Sequence, residues 1–189
     1  RLHSELASIM SPISPFEENL PKNQANYSPL TPLSFLTRTA EVFPERTAVI
    51  HGEIKRSWRE TLKRCIRLAS ALKKKRVVQG TTVSVMAPNV PELLEAHFGV
   101  LMTGGVLNAL NIRLEAETLA YILEHGECQV LITDREFSPV TQKVLQQLED
   151  PPLVIDIDNP MAEGGELLGE MDYEAFLKTG EEDFEWNLP

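Results

Sequence analysis

Hydrophobic positions recur along this chain with two periods, and the switches between them lay out its elements. Trp58, Leu62, Cys65, Ile66, Ala69 and Leu72 fall three or four residues apart, one stripe of an amphipathic helix. Ser57 and Glu60 precede it with the spacing of a capping box. Short apolar runs at 83–87, 106–110, 128–133 and 153–157 are bounded by Pro, Gly, Asn or charged residues and read as buried strands. Helical patterns lie between them, at 91–102, at 115–124 and from Ser138-Pro139 onward. Upstream, Thr31-Pro32 supplies an N-cap followed by proline in the first turn. It predicts a helix to about Val42, ended by Pro44. Residues 48–50 and 54–58 flank Gly52-Glu53 as a small hairpin, and 172–178 reads as one more short helix.

Apolar strands that alternate with helices predict an α/β fold: a doubly wound, mostly parallel sheet with helices on both faces. Three local expectations follow. The helix at 91–102 is apolar nearly all round, so it should be buried on more than one side. Asn89 and Glu92 have the spacing of a second capping box. Gly126 should close the helix before it in the left-handed conformation. The chain divides into a flexible Ser/Pro/Asn-rich lead-in at 1–29, an α/β unit at 30–160 and an acidic linker with one short helix at 161–189. No internal repeat is seen.

Composition narrows the class. A chain of 189 residues with 42% apolar content can bury one core. No run approaches the roughly 18 apolar residues of a membrane span, so an integral membrane protein is not expected. Two unpaired-looking cysteines, Cys65 and Cys128, fit a reduced compartment better than a disulfide scaffold. The net charge of −10 is uneven: residues 163–185 hold nine acids against Lys178, and 55–76 hold ten basic residues against Glu60. The basic stretch lacks aromatic interleaving and any nucleic-acid reader motif, so it reads as a solvated helix face and no nucleic-acid partner is expected.

The motif inventory is mostly negative. The chain contains no GxxxxGK[ST], no GxGxxG after a strand, no GxSxG and no HExxH. Its four histidines have no metal spacing. His97 reads as a hydrogen-bonded core residue, and His125 as a favourable cation in a helix's last turn. Asp134 and Asp156 end strands at the edge where doubly wound sheets bind ligands, which makes them weak site candidates. Gly104-Gly105 reads as a close helix–strand approach rather than a phosphate cradle.

Three stretches, SPLTPLSFLTRTAEVFPERTAVI, SWRETLKRCIRLASAL and VMAPNVPELLEAHFGVLMTGGVLNALNIRLEAETLAYILEHGECQVLITD, together resemble one family. Residues 28–158 look like the N-terminal portion of the AMP-binding, adenylate-forming ligases, specifically the short- to medium-chain fatty acyl-CoA synthetases. SWRETLKRCIRLASAL resembles the family's first core motif and LMTGGVLNALNIRL its second. These motifs mark a scaffold rather than an active site.

The resemblance implies a parent that uses ATP and Mg²⁺ to convert a carboxylic acid to an acyl-adenylate, then passes the acyl group to coenzyme A. The family's phosphate loop, magnesium site, ribose-binding Asp and mobile Lys have no counterpart here, so this portion alone is expected to be inactive and to bind none of these cofactors tightly. One position carries over: Arg113, in the loop after the second core motif, corresponds to a region near the coenzyme A entrance. It reads either as a partner for a CoA phosphate or as a solvated loop arginine. One departure stands out, because Arg76 occupies a helix end where relatives place Gly. The resemblance further implies an intracellular location, cytoplasmic, mitochondrial or peroxisomal, and leaves acyl chain length and oligomeric state open. The rival reading is a stand-alone interaction or regulatory module that reuses the ligase scaffold. An incomplete sheet would leave an open edge and an apolar face.

Overall fold

The computed structural model describes Asn23, Ala25, Tyr27 and residues 31–186. Apart from those three residues, the lead-in expected at 1–29 lies outside the described residues. The chain falls into two compact units, 1–30 and 31–189. Within the first, the Asn23 side chain accepts from the Ala25 backbone N–H at 2.9 Å.

Helix α1 (Pro32–Val42) starts where Thr31 caps the Ser34 N–H. Strands β1 (Thr47–His51) and β2 (Ile54–Ser57) pair antiparallel as the expected hairpin. Helix α2 (Trp58–Lys74) opens on the reciprocal Ser57–Glu60 box. The sheet then forms from β3 (Thr82–Met86), β4 (Val106–Ala109), β5 (Cys128–Asp134), β6 (Leu153–Ile157) and β7 (Met171–Asp172). All its pairings are parallel and its order is β4-β3-β5-β6-β7. Between and after the strands run α3 (Pro91–Met102), α4 (Ala116–His125), α5 (Ser138–Leu145) and α6 (Tyr173–Lys178). The expected doubly wound α/β architecture is therefore present, with β7 as a two-residue strand the sequence pattern did not reveal.

Alternation along the strands builds two cores. Val83, Val85, Val130, Ile132, Ile155 and Ile157 meet α2, α3 and α6 through Leu68, Leu72, Val100, Phe176 and Leu177. Met86 and Leu131 face the other way, onto Leu119 and Leu123 of α4 and Val144 of α5. A third cluster joins α1 to α2 and α3, with Leu33, Leu36, Cys65 and Ala69 at its centre. Both faces of the sheet are thus covered, and its edge strands are β4, where Val106 is 50% exposed, and β7. Helices α2 and α3 approach closely because residue 99 is glycine: a Cβ there would lie 2.7 Å from a Leu68 methyl.

Two cap expectations fail. Asn89 does not cap α3; its N-cap is Val90, with no side-chain hydrogen bond, and Pro91 sits in the first turn. The proline ring and the extended backbone before it set the helix start without a polar cap. Gly126 has φ of −83°, and the left-handed residue is its neighbour Glu127 at 49°. Arg76 does adopt the left-handed conformation, with φ of 65°, so a turn that glycine would make freely is made here at a cost of about 1 kcal/mol.

Candidate functional site

The carboxyl ends of the parallel strands form the edge where doubly wound sheets place ligands. The loop leaving β4 at this edge is held by the Leu110 N–H donating to the Val85 carbonyl at 2.9 Å. Asn111 then folds it into a turn, its side chain accepting from the Arg113 N–H at 3.0 Å. Leu110 is buried, and Ile112 and Leu114 pack onto the α4–α5 core, so the apolar residues anchor the loop and Arg113 is left exposed. Among the described residues its guanidinium has no ion-pair partner. A free guanidinium on an anchored loop is suited to a phosphate, to which it presents paired donors.

The other edge residues are already engaged. Asp134 is fully buried; one oxygen accepts from the Glu136 N–H and the other from Asn159 Nδ2, both at 2.9 Å. It ties the ends of β5 and β6 together. Asp156 accepts from the Gly169 N–H, while its Oδ1 is buried without a partner. Arg135 pairs with Asp158 at 3.2 Å. Neither aspartate is brought beside Arg113 by any hydrogen bond or ion pair among the described residues. His125 stacks on Tyr121, ring centroids 5.5 Å apart, at the end of α4 as expected. His97 is not a core residue: it is exposed, with Nδ1 2.7 Å from the Leu93 carbonyl, because its side of α3 faces an open groove.

A buried charge network stands on the opposite flank of α3. Glu95, 1% exposed, receives Arg56 Nη1 and Arg64 Nε on a single oxygen, each at 2.7 Å, and the Tyr173 hydroxyl on the other at 3.0 Å. Arg64 also forms a two-pronged pair with Glu174, Nη1 lying 2.9 Å from Oε2. Burial pushes the Glu95 carboxyl up, against the pull of Arg64 and Arg56. Burial likewise opposes charge on Arg64, but its bonds to Glu174 and Glu95 prevail and hold it protonated. Tyr173 is driven up by burial and then by Glu95. The network links β2, α2, α3 and α6. The one sequence signal for it is a pair of acids, Glu92 and Glu95, three apart on an otherwise apolar helix.

The basic stretch is solvated as expected over most of its length, with Lys55, Arg59, Lys63, Lys73, Lys74, Lys75 and Arg76 exposed, but part of it is paired. Lys63 and Arg67 hold Glu182 at 3.1 and 2.7 Å, and Lys74 holds Glu181 at 2.7 Å. The Glu181 N–H donates to Ser70 Oγ at 3.0 Å, and Gly180 lies against the Arg67 carbonyl, where a side chain has no room. Phe184 and Trp186 pack on the α1–α2–α3 cluster. Part of the charge that looks unbalanced along the sequence is thus paired across α2.

Among the described residues no group of three or more His, Cys, Asp or Glu could hold a metal ion. Gly104 and Gly105 lie against Gln79 and Thr81, and Gly165 against the Arg135 carbonyl, while Gly164 faces open space. No described helix is long and apolar enough to cross a membrane.

A doubly wound sheet with this loop arrangement is the architecture of adenylate-forming ligase N-terminal domains. The AMP-binding enzyme family model matches residues 36–183, and the chain belongs to that family. It is 43% identical over 184 residues to a peroxisomal acetate/butyrate–CoA ligase of Arabidopsis thaliana, covering 91% of this chain and 32% of that protein. It is 46% identical over 131 residues to a peroxisomal trans-cinnamate:CoA ligase of Petunia hybrida, covering 69% of this chain and 23% of that protein. The chain spans about a third of the length of the curated relatives it matches. Among solved structures, an anthranilate CoA ligase bound to anthranoyl-AMP superposes with a TM-score of 0.73 at 21% identity, covering 82% of this chain and 29% of that one. The N-terminal domain of FACL13 from Mycobacterium tuberculosis gives 0.66 at 21%, covering 79% and 36%. At that identity the structures show the fold alone.

Proposed function

We propose that this chain is the N-terminal portion of an ATP-dependent fatty acid–CoA ligase, which joins a carboxylic acid to CoA and releases AMP and pyrophosphate. The 43% identity over 184 residues to an acetate/butyrate–CoA ligase carries the reading. ATP supplies the activation chemistry when bound to the complete enzyme, with Mg²⁺. The residues of this portion contribute a scaffold and one contact, Arg113 to a CoA phosphate. Relatives named for acetate, butyrate, cinnamate and benzoate leave the acid itself unassigned. The peroxisomal relatives favour the peroxisome among the expected intracellular sites. The comparisons give the rival regulatory-module reading no support.

Two assays test it. The purified 189-residue chain should give no ATP–pyrophosphate exchange with acetate, butyrate or benzoate, and exchange above the blank would show that this portion is not inert. Joined to the remaining two thirds of the Arabidopsis acetate/butyrate–CoA ligase, it should support acid-dependent exchange; a folded chimera without exchange would overturn the ligase reading. In that chimera Arg113→Ala should raise the KM for CoA about tenfold, the loss of one charged hydrogen-bonded contact, and leave exchange unchanged. An unchanged KM would return Arg113 to a solvated loop residue.

A further inference from the structure

Helix α2 sets Glu60, Lys63, Arg64 and Arg67 three and four residues apart, on one face. With Lys55 and Arg56 of β2 they wall a pocket of about 490 Å³. Ile54 is the one apolar side chain in that wall, where five Lys or Arg side chains meet three glutamates. Arg56 and Arg64 already serve Glu95 and Glu174. Lys55, Lys63 and Arg67 do not. Lys55 is exposed, with no ion pair among the described residues. Arg67 Nε is buried without a hydrogen-bond partner among them, a costly state for a charged donor. Of the three carboxylates, Glu60 is turned back onto the Ser57 N–H at 2.7 Å to close the capping box. Glu182 arrives from the acidic tail and is clasped by Lys63 at 3.1 Å and Arg67 at 2.7 Å. Its side chain is 44% exposed, so water screens that clasp and keeps it weak.

We propose that this pocket binds a small molecule through a diphosphate group, and that Glu182 holds the place of that group until it arrives. The site does not depend on the ligase reading, since every contact lies within this chain. No residue of the Arg113 loop lines it, so it is a second anion site. The chemistry of the wall selects the ligand. A phosphoryl group carries about −1.5 to −2 charges at neutral pH and three acceptor oxygens, against the single charge of Glu182. Two linked phosphoryl groups offer acceptors to Arg67 Nε and Lys55 as well as to the pair that now holds Glu182. The wall presents no aromatic ring, so a nucleobase has nothing there to stack on. Glu182, tethered to the same chain, competes at a high effective concentration. Only a more highly charged group displaces it.

Calorimetric titration of the 189-residue chain with sodium pyrophosphate, in EDTA and at constant ionic strength, tests the site. One saturable event with a Kd on the order of 100 µM is expected. Arg67→Gln should weaken binding at least about tenfold, the loss of one charged hydrogen-bonded contact. Lys63→Gln should do the same, and carries the test if Arg67→Gln lowers the melting temperature. Glu182→Gln should tighten binding at least about threefold by removing the competitor. Lys73→Gln, on the same helix but outside the pocket, should change nothing. ADP, with the same diphosphate group, should bind no more tightly than pyrophosphate. Absence of saturable binding, equal effects of Lys73→Gln and Arg67→Gln, or unchanged affinity in Glu182→Gln would overturn the inference. So would loss of binding on Arg113→Ala, which would move the site to the loop after β4. Tighter binding of ADP would place recognition in the nucleoside and overturn it as well.

Discussion

The two flanks of α3 obey opposite rules. On one, two carboxylates are enclosed by Arg56, Arg64 and Tyr173, and each charge finds a partner within the chain. On the other, Leu94, Phe98 and Leu101 border an open groove with nothing laid over them among the described residues. The difference separates what this stretch completes by itself from what it leaves to a neighbour. Charges cannot wait for a later partner, because an unpaired buried ion costs several kcal/mol. Apolar side chains can wait, at the lesser cost of exposed surface.

The hardest break in that comparison is at Glu95. Glu95→Ala would remove the acceptor that Arg56, Arg64 and buried Tyr173 share, leaving Arg64 with Glu174 and Arg56 with longer pairs to Glu92 and Glu174, so a loss of about 3–5 kcal/mol in urea unfolding is expected. Glu95→Gln keeps an acceptor and should cost less. Equal losses for the two would mean that packing, not charge, holds the flank. Next in size is Gly99→Ala, which pushes a methyl into Leu68 where α2 and α3 touch. About 1–3 kcal/mol is expected from overpacking. Both substitutions act on the flank that is already complete, so both should be felt in the isolated chain.

How much of this was legible in the sequence follows from the range of the interactions. Caps at Thr31 and Ser57 and the four long strands depend on neighbours within a few residues, and they lie where the pattern put them. The Glu95 network joins positions 39, 31 and 78 residues apart, and no local period encodes it. The acidic tail and basic helix looked like separate solvated segments, because a charge run does not announce its partner across 110 residues. Gly126 failed as a left-handed cap because Glu127 takes that role one residue later. The exposure of His97 was missed for a different reason: the all-round apolarity of its helix pointed to burial that this chain alone does not provide.

Acid should release the tail before it disturbs the sheet. Glu174 is held low by its bonds with Arg64, outweighing burial, and Glu182 is held low by Lys63 and then Arg67. Folded values below the unfolded ones mean stabilisation that is present above about pH 4.3 and lost as pH falls through the folded values. Glu95 is raised, so its contribution has the opposite sign, fullest below about pH 4.3 and lost as pH rises through its folded value. Between about pH 5 and 3 the emission of Trp186, read as the difference from Trp186→Phe, should therefore move to the red as the tail leaves its cluster. High salt should favour the same change only weakly, since the pairs at Glu181 and Glu182 are substantially exposed. A Trp186 signal that stays flat until global unfolding would show that Phe184 and Trp186 anchor the tail without help from its charges.

The smallest effect sits on the apolar flank and is the most discriminating. Leu94 touches the groove rather than the core, so Leu94→Ser in the isolated chain should change stability by no more than about 0.5 kcal/mol. Solubility should move more than stability: trimming an exposed leucine beside Ile50 reduces the patch through which copies of the chain associate. Light scattering at raised protein concentration should show less self-association for Leu94→Ser than for the native sequence, while Val106→Lys on the open β4 edge separates edge pairing from groove contact. If Leu94→Ser destabilises the isolated chain as much as Gly99→Ala does, the groove is closed in solution by the chain's own residues, and the contrast between the two flanks of α3 disappears.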